Sequence, residues 1–508
     1  MDAHSKKHIK IGIVLTYLTM IISALGSLFI TPIVLNNVGD SNYGLLSFST
    51  SITSWISIIT TAFSSSFLFF INKEIKENKT EYRTPSLYFK VFRYLSYTSF
   101  TLLVVIIGTL FLTKVKFSSY SLEETQIILI LLLISGCTLC ITMFFNAFNQ
   151  YLVYKKEFIF LRTVTLVITV LIYALNVVIA VTTKNIILIS CVSLGTTFIN
   201  FVSIFLFAIF FKKMKITKIS LKDNFPILKE ILIYSSLILI NAISINIHGN
   251  VDKTVLGFMA GSEFVAFYTL STTFTDHLFT LSNTISETTA PVIYERYKNN
   301  DNEGVNELFL KVSKTQLLLT CLVVGGFAAC GYYFIKLWLG EGRIQVFYYS
   351  LALMVLDIYT LSNLSGIVCA RALNKQKYPT FSSLIAAVTN LGLSILFVFL
   401  FDKSFSVWSC IFATILTKVA LNYVVLPLYY KRKCGLSIGK SFLQYLKFIS
   451  FALFGVGISY LTLYFIQQNV EIANIYLFLI SGSIFAIIYV FAILIFERKF
   501  LFKLFKKR

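Results

Sequence analysis

The sequence predicts an all-α polytopic membrane protein with about fourteen transmembrane helices. Between Ile11 and Phe496, apolar stretches of roughly 20 to 28 residues follow one another, and about 20 such residues suffice to cross a bilayer. The composition agrees, since 57% of the 508 residues are hydrophobic, 13% are charged and the mean hydropathy is +0.80. Because unpaired backbone groups are costly in lipid, we expect these stretches to be helices rather than open strands.

Short polar breaks separate the predicted spans. In chain order, the spans cover residues 11–35, 45–71, 86–113, 122–148, 158–183, 186–211, 229–258, 264–292, 312–337, 345–370, 378–401, 404–430, 441–467 and 473–496. The longest breaks, 72–90 and 212–229, are too short to contain a soluble catalytic domain. The sequence therefore argues against a fused enzyme module.

Lysine and arginine residues accumulate in every second polar break. The basic breaks lie at residues 6–10, 73–93, 155–162, 212–229, 296–314, 371–377, 431–440 and 498–508. Since basic loops stay on the cytoplasmic side, both termini are predicted to be cytoplasmic and the number of spans to be even. The net charge of +21 thus follows from membrane topology, and we expect no nucleic-acid partner. The aromatic and basic tail 498–508 is predicted to lie on anionic membrane lipid.

The turns after the first and seventh spans resemble each other. Aligning Gly39 with Gly261 places Gly44 on Ala266. Both turns follow an outward-running helix, which predicts a parallel repeat of two six-helix lobes. Chance similarity between two glycine turns is the alternative. The repeat predicts an N-terminal lobe, a C-terminal lobe and two extra helices with a basic tail, at residues 1–212, 213–432 and 433–508.

The seventh span is unusually polar. Its polar residues fall on two neighbouring helical faces, Asn241, His248 and Asp252 on one and Asn246, Asn250 and Lys253 on the other. A helix this polar is expected to line water, because ionisable groups are costly in hydrocarbon. The alternative is interhelical hydrogen bonding, with Asp252 paired to a lysine near the outer interface.

The eighth span carries a polar stripe. Its residues recur at steps of four and three, as Thr269, Thr273, Asp276, Thr280, Asn283 and Glu287, with His277 beside them. A stripe of this kind would be unstable against lipid. It is therefore expected to line a cavity, with a packed polar seam between helices as the alternative.

Three further charged residues are candidates for function. Asp357 and Lys418 lie near the centres of the tenth and twelfth spans, where they either pair with each other or act separately. In the second case Lys418 would meet an anionic substrate and Asp357 would couple to a proton or ion. Arg162, at a cytoplasmic helix end, either binds a lipid phosphate or extends to the interface. No metal-site spacing is present, and no cofactor is expected.

Two short motifs and the layout of the spans carry a family resemblance. The first span ends in Pro32, Val38-Gly39 and Tyr43-Gly44, and the seventh ends in a segment that begins with Asp252 and closes with Leu256-Gly257. These features resemble the polysaccharide exporters (Wzx-type oligosaccharide flippases) of the multidrug/oligosaccharidyl-lipid/polysaccharide (MOP) transporter superfamily, which includes the MATE-type antiporters. Members commonly have Leu-Gly in place of Val38-Gly39.

The resemblance implies two six-helix lobes around a central cavity and no enzymatic activity. It implies a flippase that moves oligosaccharide repeat units on undecaprenyl pyrophosphate from the cytoplasmic to the outer leaflet of the bacterial inner (plasma) membrane, for surface polysaccharides such as O-antigen. H⁺ or Na⁺ would drive alternating access, and a monomer working with glycan polymerase machinery is expected. The residues expected to bind cargo are Lys253, Lys418, Arg162, Asn246, Asn250, Thr273, Thr280 and Asn283. The residues expected to couple to an ion or proton are Asp252, Asp276, His277, Asp357 and His248.

Several other functions remain open at this point. A drug/cation antiporter of the same superfamily predicts about twelve spans and a cavity dominated by carboxylates. A lipid II flippase also has fourteen spans in that superfamily, usually with more arginines in its cavity. A membrane enzyme or a channel is less compatible, because neither a long outer loop nor a filter-like glycine signature is visible.

Overall fold

A computed structural model of the chain shows that its described part is almost entirely helical. The described residues are 3–78, 81–114, 117, 119–469 and 472–498. No strand occurs among them. The predicted interfacial tail lies outside the described residues from position 499 onward.

Sixteen α-helices make up the described part of the chain. They are α1 (Ala3–Val38), α2 (Asp40–Asn78), α3 (Arg83–Leu112), α4 (Leu122–Tyr154), α5 (Phe158–Thr183), α6 (Ile186–Leu206), α7 (Phe225–Met259), α8 (Ser262–Lys298), α9 (Asn302–Leu339), α10 (Gln345–Ser362), α11 (Leu364–Ala372), α12 (Lys377–Leu400), α13 (Ser406–Lys418), α14 (Leu426–Cys434), α15 (Ile438–Asn469) and α16 (Asn474–Phe496).

Two pairs of these helices form single interrupted segments. Only Asn363 separates α10 from α11, and a π-helix, Val419–Val425, joins α13 to α14. Within the described residues, twelve segments are long and apolar enough to cross a membrane by length and composition. The remaining long helices are α7 and α8, with 35 and 37 residues. The predicted all-α polytopic fold class is thus confirmed.

The described chain falls into two compact units, of which the first spans Met1–Ala266. Within it, α1 packs on α5, α3 packs on α4, and α4 also packs on α2 and α6. An aromatic core at one end of these helices contains Phe67, Tyr88 and Phe148, each at most 1% exposed. The buried Tyr88 hydroxyl is satisfied at 2.6 Å by the Ser66 hydroxyl, so this core leaves no phenol oxygen of Tyr88 unpaired.

The second unit spans Phe267–Arg508 and is organised around α9, which packs on α10, α15 and α16. The contact with α16 is close at Gly325, where a Cβ atom would lie 2.5 Å from the Phe485 ring. Tyr489 also donates its hydroxyl to the carbonyl oxygen of Leu318 at 3.1 Å. The last two helices are therefore packed into the core of this unit.

The boundary between the two units lies inside α8, between Ala266 and Phe267. Helix α7 is assigned to the first unit, in which it packs along α2. The lobe boundaries at residues 1–212 and 213–432 were inferred from the internal repeat, and they stay a prediction.

Glu497 fastens the end of α16 to two neighbouring helices. Its carboxylate pairs with Lys314 of α9 and, at 2.8 Å, with Lys447 of α15. Burial raises the pKa of Glu497, but the hydrogen bonds from the two lysines outweigh burial and hold the pKa below its ordinary value of 4.5. The folded state therefore favours the ionised carboxylate.

The Glu497 contacts predict an acid-sensitive contribution to stability. Because the pKa is lowered in the folded state, the contribution is complete above the ordinary pKa and is lost as the pH falls through the folded-state pKa. We expect Glu497→Gln to cost about 1–3 kcal/mol at neutral pH and to weaken the loss of stability on acidification. Thermal unfolding in detergent between neutral and acidic pH measures this, with the exposed Glu303→Gln as control. Identical pH profiles for Glu497→Gln and the parent protein would contradict the prediction.

Candidate functional site

A series of polar contacts, which we call the polar seam, joins α2 to α7 within the first unit. The two helices run antiparallel: residues early in α2 contact residues late in α7, and residues late in α2 contact residues early in α7. Along the seam, the pairs are Ser41 with Ser262 at the start of α8, Ser51 with Thr254, Ser54 with Asn246, Ser66 with Ser235, and Lys73 with Glu230. The hydroxyl-rich α2 is therefore the hydrogen-bonding partner of the polar α7.

Asn246 and Asn250, both predicted to bind cargo, lie in this seam. The Asn246 Oδ1 accepts from the Ser54 hydroxyl at 3.2 Å, and its Nδ2 donates to the Ser54 carbonyl oxygen at 2.9 Å. Asn250 Nδ2 lies 3.5 Å from Asn246 Oδ1. Trp55 Nε1 donates to Thr254 Oγ1 at 3.4 Å. At these positions the contacts support the alternative in which the polar residues of α7 form hydrogen bonds to a neighbouring helix.

Two glycines allow the seam to close. A Cβ atom on Gly44 would lie 1.8 Å from the Ser262 carbonyl oxygen, and one on Gly257 would lie 2.0 Å from the buried Phe48 ring. These positions belong to the Tyr43-Gly44 and Leu256-Gly257 pairs of the sequence motifs. The motif glycines therefore have a packing role, because only a residue without a side chain fits such a close approach.

The ionisable residues of α7 differ in their exposure. Asp252 is buried at 4% exposure, and Lys253 is half-buried. Neither is isolated, since both take part in interactions with other groups. The side chain of His248 lies outside the described residues, as does that of Asn241.

The polar stripe of α8 lies on an accessible face of that helix. Asp276, Thr280 and Glu287 are exposed, while Thr273, His277 and Asn283 are half-buried. The stripe is thus not sealed in a dry contact within the second unit, and Asp276 has interactions of its own. Its accessible position is compatible with a helix face that meets water.

The opposite face of α8 is buried and holds the helix on α9. Ser271, Ser282 and Ser286 are at most 2% exposed. Gln316 of α9 donates its Nε2 to the Ser282 carbonyl oxygen at 2.8 Å and to the Ser286 hydroxyl at 2.9 Å. Helix α8 therefore has one packed polar face of small residues and one accessible polar face with charges.

In the C-terminal half of α8, the accessible face contacts α11 through an ion pair. Glu287 forms an ion pair with Arg371, and both side chains are partly exposed, at 44% and 35%. Pairs at this exposure contribute little to stability.

Asp357 and Lys418 form a direct ion pair in the second unit. Lys418 Nζ lies 2.8 Å from Asp357 Oδ1, and their side chains are 20% and 6% exposed. Lys418 is the last residue of α13, immediately before the π-helix Val419–Val425, and Tyr423 of that π-helix donates to the Leu356 carbonyl oxygen at 3.0 Å. π-helical turns inside α-helices often occur at functional sites. Of the two interpretations of these charges, the contacts support pairing.

One predicted site residue lies at the surface, and several buried amides were not predicted. Arg162 is exposed near the start of α5. The buried amides that the sequence did not single out include Gln316, Asn363 and Asn390, of which Asn390 donates to Thr414 Oγ1 at 3.1 Å. The sequence signal that could have identified them is a single amide side chain within an apolar span. Among the described residues, no three His, Cys, Asp or Glu side chains are grouped so that they could hold a metal ion.

Comparison with known proteins places this architecture in a family. The model of the family described as "Polysaccharide biosynthesis protein" matches residues 9–297. The chain belongs to the polysaccharide biosynthesis protein family. That match contains the α2–α7 seam and the α8 stripe, so both features lie in the part of the chain that defines membership. No curated protein sequence matches the chain.

Solved structures share the fold of this polysaccharide biosynthesis family member at low identity. A lipid II flippase, MurJ, in an inward closed conformation is 16% identical over 96% of this chain and 99% of its own, with a TM-score of 0.71. An inward-facing multidrug resistance MATE transporter of the MOP superfamily is 15% identical over 84% of this chain and 99% of its own, with a TM-score of 0.61. The fold is therefore of the MOP transporter type.

Proposed function

We propose that this family member is a flippase for oligosaccharide repeat units carried on undecaprenyl pyrophosphate. It would move them from the cytoplasmic to the outer leaflet of a bacterial inner membrane, by alternating access coupled to an H⁺ or Na⁺ gradient, and without enzymatic chemistry. The observation that carries the proposal is the family match in a chain with a MOP transporter fold. The accessible stripe on α8 supports it, because a hydroxylated and charged head group needs polar contacts to cross a bilayer.

The stripe would supply these contacts to the sugars. Thr273 and Thr280 donate their hydroxyl hydrogens to the backbone of their own helix, so their oxygens would accept hydrogen bonds from sugar hydroxyls. The side-chain amide of Asn283 can both donate and accept. Lys253 and Arg162 would attract the anionic pyrophosphate. The polyprenyl tail would stay in lipid, so that only the head group crosses on the protein.

The Asp357–Lys418 pair is proposed to take part in coupling. A carboxylate and an ammonium at 2.8 Å neutralise each other in one state, and a proton or cation that replaces the lysine at Asp357 would release Lys418. Released Lys418 would then be available to an anionic cargo. Asp252, Asp276, His277 and His248 are further coupling candidates, with both chain termini proposed to be cytoplasmic.

Transport of a labelled lipid-linked oligosaccharide between leaflets tests the proposed function. The purified protein would be reconstituted into vesicles with a fluorescent undecaprenyl-pyrophosphate oligosaccharide, and exchange would be followed by chemical quenching of the outer leaflet. We expect protein-dependent exchange that responds to an H⁺ or Na⁺ gradient. Empty vesicles are the first control, and lipid II and a cationic drug are competing substrates.

Each outcome of this experiment distinguishes between functions. Drug efflux without oligosaccharide exchange would contradict the flippase proposal and favour a MATE-type antiporter. Exchange of lipid II in preference to the oligosaccharide would favour a lipid II flippase instead. Exchange that ignores every gradient would leave the cargo assignment intact and overturn the coupling mechanism.

A further inference from the structure

A short π-helix, Phe207–Phe211, continues α6, and an irregular basic segment, residues 212–224, then leads to α7. We call this segment the basic strap. It contains five lysines, and four of them are exposed: Lys213, Lys215, Lys218 and Lys222. Two apolar residues between them point inward, since Met214 is 5% exposed and Leu221 packs against the aromatic core of the first unit. The strap therefore presents its lysines outward while Met214 and Leu221 attach it to the protein.

Hydrogen bonds from the N-terminal half of α3 fix the strap in this position. The Thr217 amide donates to Ser86 Oγ at 2.9 Å, and Lys90 Nζ donates to the Ile219 carbonyl oxygen at 2.5 Å. At the end of the strap, Arg83 Nε donates to Asn224 Oδ1 at 2.7 Å. The exposed lysines are thus displayed on an anchored backbone rather than on a free loop.

Nearby carboxylates are paired with groups other than the four exposed lysines. Glu157 pairs with Lys212, and Glu230 pairs with Lys73 at 2.6 Å. Glu74 accepts the backbone N–H groups of Arg83 and Thr84 at 2.9 and 2.6 Å. The exposed lysines of the strap therefore form a surface of net positive charge, and Asp223 is the one acidic residue within the strap.

Exposed apolar residues flank this positive surface. Phe210 and Phe211, just before the strap, are 69% and 73% exposed, and Ile216 inside it is 38% exposed. Exposed aromatics followed directly by lysines are typical of the boundary between lipid tails and headgroups. We propose that the basic strap is a binding surface for the anionic headgroups of membrane phospholipids. This proposal does not depend on which cargo the protein carries.

Selective stabilisation by anionic lipid tests the proposal. Phosphatidylglycerol or phosphatidylcholine would be titrated into the full-length protein in detergent, and the thermal unfolding midpoint would be recorded. A ligand that binds the folded state raises that midpoint. We expect phosphatidylglycerol to raise it more than phosphatidylcholine does, with a response that weakens at high salt. In the variant Lys213→Gln, Lys215→Gln, Lys218→Gln, half-maximal stabilisation should need at least about tenfold more phosphatidylglycerol.

A matched variant separates the strap from general positive charge. Lys431→Gln, Arg432→Gln, Lys433→Gln removes three exposed charges at the end of α14 and should keep the parent response. A second strap variant, Ser86→Ala, leaves every lysine in place but loosens the anchor, and it should show an intermediate response. An equal response in the strap variant and the α14 variant, or no preference for phosphatidylglycerol in the parent protein, would overturn the proposal.

Discussion

Replacing Lys418 with methionine is expected to reduce transport by at least about tenfold and to destabilise the protein. Asp357 is 4% exposed and loses its 2.8 Å partner in this variant. Removing one member of a buried ion pair costs about 3–5 kcal/mol, because the other charge stays buried without compensation. The exposed Lys403→Met, in the turn before α13, is the matched control and should behave like the parent protein.

A neutral double variant separates stability from coupling at this pair. Asp357→Asn with Lys418→Met removes both charges, so neither is left buried alone, and folding should largely recover. Transport driven by an ion gradient should not recover, since the exchangeable pair is gone. The measurements are the unfolding midpoint and the gradient-driven transport rate. If Lys418→Met matches the parent in both, the pair has no role, and if the double variant transports normally, its role is structural only.

Replacing Gly44 with alanine is expected to open the α2–α7 seam. The added Cβ atom would meet the Ser262 carbonyl oxygen at 1.8 Å, and a backbone oxygen cannot rotate away as a side chain can. Overpacking of this kind costs about 1–3 kcal/mol, because the helices must separate or distort. We expect a lower unfolding midpoint together with impaired transport.

A glycine in open space provides the control for Gly44. Gly392 lies within α12, and a Cβ atom there would have no neighbour within 4 Å. Gly392→Ala should be neutral or stabilising by up to about 1 kcal/mol, because alanine favours the helix. Equal midpoints for Gly44→Ala and the parent protein would show that the seam tolerates a side chain and is not closely packed there.

The helices could be predicted from hydropathy and periodicity, because both depend only on the chemistry and spacing of residues that are close in the sequence. The stripe on α8 illustrates this, since a spacing of four and three placed Asp276 and Thr280 on the same face, and the structure finds both exposed. Family membership was also predictable, because the glycine motifs at Gly44 and Gly257 are local in sequence. Their packing reason became visible only once α2 lay against α7.

Partner choice between helices could not be predicted in the same way. The serines of α2 can bond to their own helix, and several do, so their role as partners of Asn246 depends on tertiary packing. The same holds for Lys418, where pairing with Asp357 and a free cation were equally compatible with the sequence. The π-helix after Lys418 has no simple sequence signature either.

We propose that the cargo head group crosses the membrane along the α8 stripe, in contact with water. Labelling of Thr280→Cys by a membrane-impermeant maleimide tests it directly, in a background where the exposed Cys191 is replaced by serine. Val388→Cys on α12 is the control, because Val388 is 55% exposed on an apolar helix that should face lipid. Position 280 is expected to be labelled and to be protected by lipid-linked oligosaccharide, whereas position 388 is expected to stay unlabelled. An unlabelled position 280, or labelling that the cargo does not change, would show that the stripe is not the path of the head group.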